Sequence, residues 1–334
     1  MGKTKIEWCD FSFNPWVGCT KISAACDHCY AESWAKRIGQ ASLWQGGRRR
    51  TADANWGQPL KWNAKARSEG VRRKVFCASL ADVFDNQVPE KWRQDLWFTI
   101  ALCDSLDWLL LTKRPQNIAK MLPKRLADGQ TVADWPWPNV WLGTTVENQE
   151  EADRRIPQLL AVPAKVHFLS CEPLLSGIDL TKWLQKKDGA EGCDSSKTTP
   201  SPLTQQGAAT PDKSETIGPS ATSQSSNGEA RIGSLAFHPP SAISWVIAGG
   251  ESGPHARPMH PDWARSLRDQ CAAAGVPFHF KQWGEWLSQR DDNGSISYGG
   301  DRFHPFGEDD AAYRVGKKAA GRLLDGVEHN GFPT

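Results

Sequence analysis

The sequence has little that would direct a protein into or across a membrane. No run of 18 apolar residues occurs, and the first residues, MGKTKIEWCD, lack an apolar signal core. We therefore expect a cytoplasmic protein without membrane contact. A large excess of one charge is also missing, since 40 Lys and Arg residues face 38 Asp and Glu residues. This balance gives no overall case for nucleic-acid binding, although it permits a local basic groove.

Tyrosine is scarce, and the number of cysteines does not indicate a disulfide framework. Three tyrosines stand against 17 tryptophans, which we expect mainly in the core and in pocket walls. The nine cysteines are odd in number, and without an export signal they are not predicted to pair. Cys77, Cys103 and Cys271 lie in apolar runs and are predicted to be buried thiols.

The stretch from Ser195 to Gly228 contains no aromatic residue. Of its 34 residues, 14 are Ser or Thr and four are Pro. Such a segment cannot bury enough apolar surface to offset the entropy lost on ordering. We predict a disordered insertion at about 190–235 within a single domain spanning 1–334, because the pattern of the chain resumes on both sides.

Short β-rich runs recur outside this insertion. They are KVFCASL (74–80), DWLLLTK (107–113), NVWLGTTV (139–146), KVHFLSC (165–171), ISWVIAG (243–249) and PFHFKQW (277–283). Helical patterns separate them, so the chain reads as repeated βα units. The sequence therefore predicts an α/β fold whose parallel sheet forms a partial or full TIM-type barrel. Residues 285–334 are expected to form a C-terminal extension packed on that barrel.

Polar side chains follow each of these strands. In barrels the carboxyl ends of the strands face the active site, so a recurring polar edge indicates a site there. We single out Lys113, Arg114, Glu147, Glu172 and Lys281 as candidate catalytic residues. Lys113 and Arg114 would clamp an anion, or would simply begin the next helix. Glu147 and Glu172 would act as acid or base or bind a ribose hydroxyl, or would cap the following helices.

Three cysteines cluster near the start of the chain. FSFNPWV (11–17) reads as a first strand or entry turn broken by a proline, and CYAESWAKRIG (29–39) has helical character. Cys19, Cys26 and Cys29 lie between the two with the spacing C-x6-C-x2-C. Zinc would need a fourth ligand, which Cys9 or His28 could supply. A four-iron cluster held by three thiolates instead keeps one iron open for a substrate or cofactor.

A wider set of motifs resembles a known family. The runs NPWVGCTKISAACDHCYAE, LTKRP, NVWLGTTVEN, LSCEPLL, VIAGGESGPHARPMHPDWARSLRDQC, PFHFKQWGEW and VGKKAAGRLLDG are similar to an uncharacterised phage and prophage family. This family is known by phage gene-product names, gp thirty-seven and gp sixty-eight, and is regarded as radical-SAM-like. The resemblance covers nearly the whole chain outside the insertion.

The resemblance implies an enzyme that uses a [4Fe–4S] cluster and S-adenosylmethionine. Cys19, Cys26 and Cys29 would hold the cluster, and cleavage of the cofactor would yield a 5′-deoxyadenosyl radical that attacks an unidentified substrate. A nucleotide or nucleic acid is the class that the phage context suggests, and an electron donor such as flavodoxin or ferredoxin is implied. The first cysteine gap of six departs from the usual C-x3-C-x2-C spacing, and His28 stands where an aromatic residue is usual.

The cofactor is expected to contact residues beside the last cysteine and at a late strand end. These are His28 and Tyr30, and Gly249, Gly250, Glu251 and Ser252 in the GGES run. In radical-SAM enzymes a GGE run follows an early strand, so here we expect only a glycine-permissive turn that presents Glu251 and Ser252.

Two other interpretations stay open. In the first, a zinc-stabilised protein without catalysis binds nucleic acid through the basic clusters GGRRR (46–50), VRRK (71–74) and RVGKKAAGR (314–322). In the second, a non-radical hydrolase uses the carboxylates of the strand ends and holds no metal.

Overall fold

The computed structural model describes residues 4, 6–123, 135–184, 242–292, 294, 296, 302–308 and 310–333. The insertion predicted at about 190–235 lies outside these residues. Among the helices of the described ranges, none combines the length and the apolar composition that a membrane span requires.

The strands and helices alternate along most of the chain. The strands are β1 (Phe11–Phe13), β2 (Trp16–Val17), β3 (Arg49–Arg50), β4 (Arg73–Cys77), β5 (Leu106–Thr112), β6 (Val140–Thr145), β7 (Val166–Cys171), β8 (Trp245–Gly249), β9 (Phe278–Gln282), β10 (Trp286–Ser288), β11 (Phe303–Pro305) and β12 (Ala311–Arg314). The helices are α1 (Tyr30–Arg37), α2 (Asp53–Trp56), α3 (Gln58–Ser68), α4 (Glu90–Leu102), α5 (Ile118–Met121), α6 (Gln149–Leu160), α7 (Pro261–Ala274) and α8 (Lys317–Ala320).

Seven strands form one parallel sheet in the order β1–β4–β5–β6–β7–β8–β9. The sheet is curled into a half-barrel, and within the described ranges no pairing joins its edge strands β1 and β9. This confirms the α/β fold and the partial TIM-type barrel that the βα repeats predict. All the strands are parallel, so their carboxyl ends meet at one edge, where the predicted site residues lie.

The two faces of the sheet are both apolar, as expected for parallel strands that are covered on both sides. On one face, side chains such as Val75, Trp108 and Leu142 belong to the main core together with apolar residues of the helices. The alternate positions form a second cluster on the inner face of the half-barrel, which includes Leu109 and Trp141. Successive side chains of a strand point to opposite faces of the sheet, so alternate residues of each strand belong to these two clusters.

Segments from both ends of the chain fill the inside of the half-barrel. The Trp8 ring lies 4.7 Å from the Phe76 ring and 6.2 Å from the Trp245 ring. Near the other end of the chain, the Phe332 ring lies 4.9 Å from Trp245, whose indole N–H donates to the Gly331 carbonyl at 2.8 Å. These contacts cover apolar side chains that the missing half of a full barrel would otherwise bury.

The last fifty residues contain a small sheet of their own. β10, β12 and β11 pair antiparallel in that order. Further along, the Phe280 N–H donates to the His329 carbonyl at 2.9 Å, and Gly331 N donates to Phe278 O at 2.9 Å. The end of the predicted extension over 285–334 therefore hydrogen-bonds to strand β9.

Candidate active site

A cavity of about 640 Å³ opens at the carboxyl edge of the sheet. Most of the predicted site residues line it: Cys19, Cys26, His28, Cys29, Tyr30, Lys113, Arg114, Glu172, Gly250, Glu251, Ser252 and Lys281. Gly249 and Glu147 lie outside this lining, although both belong to the same edge. The fold thus brings the cysteine loop and four strand ends to one space.

The cysteine loop runs from the end of β2 to the start of α1. Gly18 precedes it with φ +116°, and a side chain there would meet the Gly47 carbonyl at 2.5 Å, so only glycine fits. Cys29 is the N-cap residue of α1. Burial raises the pKa of the Cys19 thiol to about 11, with Asp82 adding to this effect and Arg114 opposing it. Metal binding at this thiol would therefore have to displace its proton.

Arg114, at the end of β5, holds the beginning of the loop. Its Nη2 donates to the Thr20 carbonyl at 2.8 Å, and its Nη1 lies 3.0 Å from Asp82 Oδ2 and 3.6 Å from Cys19 Sγ. Asp82 in turn accepts from the Thr112 hydroxyl at 2.7 Å and from Lys113 N at 3.1 Å. The predicted anion clamp therefore has its arginine engaged with a carboxylate and with the cysteine loop.

Glu147, at the end of β6, holds the loop just before its second cysteine. One carboxylate oxygen accepts from Ala25 N at 3.1 Å, and the other lies 2.8 Å from Arg155 Nη1. The Glu147 and Arg155 side chains are 0 and 1 % exposed. Burial raises the pKa of Glu147, but the nearby Arg155 charge and the hydrogen bonds outweigh it, so the pKa lies below its ordinary value. Glu147 stays charged beneath the loop.

Glu251, after β8, forms a third attachment. Its Oε2 lies 3.0 Å from His28 Nδ1, and both of its oxygens accept from Arg257, at 2.7 and 2.9 Å. Arg257 also donates to the Ala24 carbonyl at 2.9 Å and to Asp27 at 3.2 Å. The sequence analysis does not single out Arg257, which stands in the run GPHARPMHP between β8 and α7.

The two glycines before Glu251 allow a close approach of the backbone. A Cβ atom on Gly250 would lie 1.9 Å from the Trp283 carbonyl oxygen, whereas on Gly249 its nearest neighbour, Gln282 O, would be at 3.4 Å. Gly250 N donates to Gln282 O at 2.9 Å. Gly250 is therefore needed for the packing of β8 against β9 at the cavity wall.

The wall formed by β7 and β9 is polar. Lys281 Nζ lies 2.7 Å from Glu172 Oε1, and Gln282 Nε2 donates to Glu172 at 3.1 Å and to the Ser252 hydroxyl at 3.0 Å. Gln282 Oε1 is buried and has no hydrogen-bond partner in the described part of the protein. In the same cavity, the Tyr30 hydroxyl donates to the Ser79 carbonyl.

A family model described as "Protein of unknown function (DUF5131)" matches residues 3–333. The chain belongs to this family. No curated protein matches the chain. Two solved structures of spore photoproduct lyase are similar over part of it, one a substituted variant with dinucleoside spore photoproduct and the other a doubly substituted variant with bound AdoMet and the same product. Each is 12% identical, with a TM-score of 0.34, and the match covers 49% of this chain and 46% of the lyase chain.

In this DUF5131 chain the cysteine sulfurs are too far apart for a closed single-metal site. At a Zn–S distance of about 2.3 Å, two thiolates of a tetrahedral zinc site lie about 3.8 Å apart. Among the described residues, one group of three His, Cys, Asp or Glu side chains brings its ligand atoms within 4.8 Å, and it consists of His260, Asp262 and Asp310. Three thiols are the kind of donor set that ligates an iron–sulfur cluster, in which each cysteine binds a different iron.

Cys9, the alternative fourth zinc ligand, is held away from this set. Its thiol donates to the Ile6 carbonyl at 3.9 Å, and burial raises its pKa to about 12. His28, the other alternative, is engaged with Glu251. In the part of the chain that the structure describes, neither residue is grouped with these cysteines at the spacing of a single-ion site.

The basic clusters GGRRR and VRRK of this DUF5131 chain serve the fold. Arg48 Nε donates to Asp85 at 2.8 Å, and Arg50 stacks on the Trp56 ring at 3.8 Å. In the second cluster, Arg72 pairs with Asp107 at 2.8 Å and Arg73 pairs with Asp10 at 3.3 Å. In the third cluster, Lys317 lines the cavity. These pairings leave the first two clusters with less free positive charge than their composition suggests.

Proposed function

We propose that this protein is a radical S-adenosylmethionine enzyme whose [4Fe–4S] cluster is held by Cys19, Cys26 and Cys29. The observation that carries the proposal is the position of the three thiols. They lie on one loop, they line one cavity at the carboxyl edge of a parallel half-barrel, and their sulfurs are not gathered for a single ion. Thiolate ligands suit an iron–sulfur cluster, and three of them leave one iron open for the cofactor.

The bound cluster and S-adenosylmethionine would supply one-electron cleavage of the cofactor to a 5′-deoxyadenosyl radical. The protein's own residues prepare the cavity for this chemistry. Arg114, Glu147 and Arg257 fix the cysteine loop through its backbone. Tyr30 and Ser252 offer hydroxyl groups in the cavity.

The remaining polar wall is suited to a cofactor or substrate that carries both hydroxyl groups and an anion. Glu172 and Lys281 neutralise each other, and the unpartnered Gln282 Oε1 would accept a hydrogen bond from a hydroxyl or amino group. Lys113 lines the cavity, and no carboxylate in the described residues pairs with its ammonium group, so it would attract a carboxylate or a phosphate. Glu172 and Lys281 would position such a ligand or exchange a proton with it.

The substrate class and the partners are part of the proposal. A nucleotide or a nucleic acid in a phage or prophage context would supply the anion that Lys113 lacks. A cytoplasmic electron donor of low potential, flavodoxin or ferredoxin, would deliver the electron. In a reducing compartment the three thiols would also stay free to bind iron.

Anaerobic reconstitution tests the proposal. Protein supplied with iron and sulfide should turn brown and hold about four irons and four sulfides per chain. Reduced protein should show an electron paramagnetic resonance signal that changes when S-adenosylmethionine is added, and 5′-deoxyadenosine should accumulate. Cys26→Ala should abolish the colour, the signal and the product.

Cys271→Ala is the matched control. Cys271 is buried in the main core, away from the cysteine loop, so its replacement should leave the iron content at the wild-type value. Colourless protein that binds one zinc ion instead, and loses it in the Cys9→Ala or His28→Ala variant, would replace the radical proposal with the structural zinc site.

A further inference from the structure

Arg114 makes a contact that its role in holding the loop does not require. Its Nη1 lies 3.6 Å from the sulfur of Cys19, in addition to the Asp82 and Thr20 contacts that fix its position. The side chain is 9 % exposed, and the Asp82 side chain is 7 % exposed. A guanidinium group keeps its charge at all accessible pH values, so this sulfur always faces a buried cation.

The three thiols are not equivalent in this respect. Among the described residues, Cys19 is the only one of the three whose sulfur accepts a hydrogen bond from a charged side chain. Near Cys26, by contrast, Glu147 accepts a hydrogen bond from the backbone N–H of the preceding residue, Ala25. Cys29 is the N-cap residue of α1. The asymmetry places positive charge at one corner of the proposed cluster.

One-electron reduction adds a negative charge to a cluster and to the sulfurs that hold it. A donor aimed at a ligating sulfur stabilises the more negative state, and hydrogen bonds to sulfur are among the factors that set cluster potentials. The effect is strengthened by burial, because few water molecules screen the charge. Asp82 acts in the opposite sense, since its carboxylate partly neutralises Arg114.

We propose that Arg114 is a positioning residue that raises the reduction potential of the cluster through its hydrogen bond to Cys19, with Asp82 limiting the increase. The inference rests on the proposed function, because it requires a cluster at the three cysteines. In this inference the Asp82–Arg114 pair sets the reduction potential of the cluster at a value from which a cellular one-electron donor can reduce it.

Redox titration of the reconstituted protein tests the inference. The reduced cluster would be followed by electron paramagnetic resonance while dithionite sets the potential, with S-adenosylmethionine absent. In Arg114→Gln the equilibrium constant for one-electron reduction should fall about tenfold, which is a midpoint about 59 mV more negative. In Asp82→Asn the midpoint should move in the positive direction. A purely structural role does not produce opposite signs at the two residues.

Two further variants keep the test decisive. Arg48→Gln removes another buried arginine that contacts Thr20, through the hydroxyl at 2.9 Å, but that donates to no cysteine among the described residues. Its midpoint should equal the wild-type value. If Arg114→Gln does not fold, Arg114→Lys replaces it in the test. Lysine keeps the positive charge but lacks the several N–H donors of the guanidinium group, so the midpoint potential should shift less in the negative direction.

The outcomes separate this inference from the proposed function. A wild-type cluster whose midpoint is the same in the Arg114 variants overturns the inference alone, as does an equal shift in Arg48→Gln. Wild-type protein that holds no cluster overturns both.

Discussion

Replacing Glu147 with glutamine should destabilise the protein. The substitution keeps the shape of the side chain, and its amide oxygen can still accept from Ala25 N, now 3.1 Å from the carboxylate. The charge is lost, however, and Arg155 stays 1 % exposed without its main counter-ion. The glutamine variant therefore isolates the charge from the shape.

The magnitude follows from the burial of both partners. Removing one member of a buried ion pair typically costs about 3–5 kcal/mol, because the remaining charge is left uncompensated. Glu151 still lies 2.9 Å from Arg155 Nε, and the Thr145 carbonyl accepts from Nη1 at 2.8 Å. These contacts place the expected loss at the lower end, about 3 kcal/mol of unfolding free energy.

The same substitution should change how stability depends on pH. The pKa of Glu147 is lowered in the folded protein, so its contribution is complete above its unfolded value, about 4.3, and is lost as the pH falls. The wild type should therefore lose more stability than Glu147→Gln as the pH falls below about 4.3.

Urea unfolding followed by tryptophan fluorescence measures the loss of stability and its pH dependence. Glu150→Gln is the matched control, since Glu150 is an exposed carboxylate near Glu147, in the helix that carries Arg155, and its replacement should change stability by about 0.5 kcal/mol or less. A double variant, Glu147→Gln with Arg155→Met, should recover much of the loss because both charges are gone. Equal unfolding free energies for Glu147→Gln and the wild type, with parallel acid limbs, would refute the reasoning.

Two further substitutions probe the cavity. Gly250→Ala would place a methyl group 1.9 Å from the Trp283 carbonyl oxygen, so we expect a loss of about 1–3 kcal/mol in thermal unfolding. Gly57→Ala, where the nearest atom would be 3.8 Å away, should leave the melting temperature unchanged or raise it. Lys113→Met should weaken binding of S-adenosylmethionine or of an anionic nucleotide roughly tenfold in calorimetric titration, because a charge-assisted contact is lost. Lys91→Met, which replaces an exposed lysine on α4, should not weaken this binding. Equal affinities in the Lys113 and Lys91 variants would contradict the anion site.

The strands could be predicted from the sequence to within a few residues. The run predicted at 107–113 is strand Leu106–Thr112, and the run at 165–171 is strand Val166–Cys171. Continuous apolar runs bounded by polar residues are a local signal, and parallel strands buried on both faces produce it directly. The run at 11–17 contains two short strands on either side of Pro15, because proline cannot donate to a ladder.

The partners of the site residues could not be predicted in the same way. Arg114, Glu147 and Glu251 stand out in the sequence as polar residues after strands, but nothing local distinguishes a side chain that faces a ligand from one that holds a loop. That distinction depends on contacts with residues more than eighty positions away, such as Thr20 and Ala25. The catalytic roles assigned to Lys113, Glu172 and Lys281 stay predictions.

The long gap between the first two cysteines has a physical explanation in these contacts. The six residues between Cys19 and Cys26 would form a flexible loop if nothing held their backbone. Ordering the backbone of each residue costs about 1–2 kcal/mol in conformational entropy. Charged side chains from the ends of β5 and β6 and from the loop after β8 instead bind the cysteine loop at the Thr20 and Ala24 carbonyls and at Ala25 N. Charge-assisted hydrogen bonds to the backbone are strong where water is excluded. The six intervening residues thus offer separate backbone groups at which the half-barrel holds the loop, so a wider cysteine spacing is compatible with a well-ordered cysteine loop.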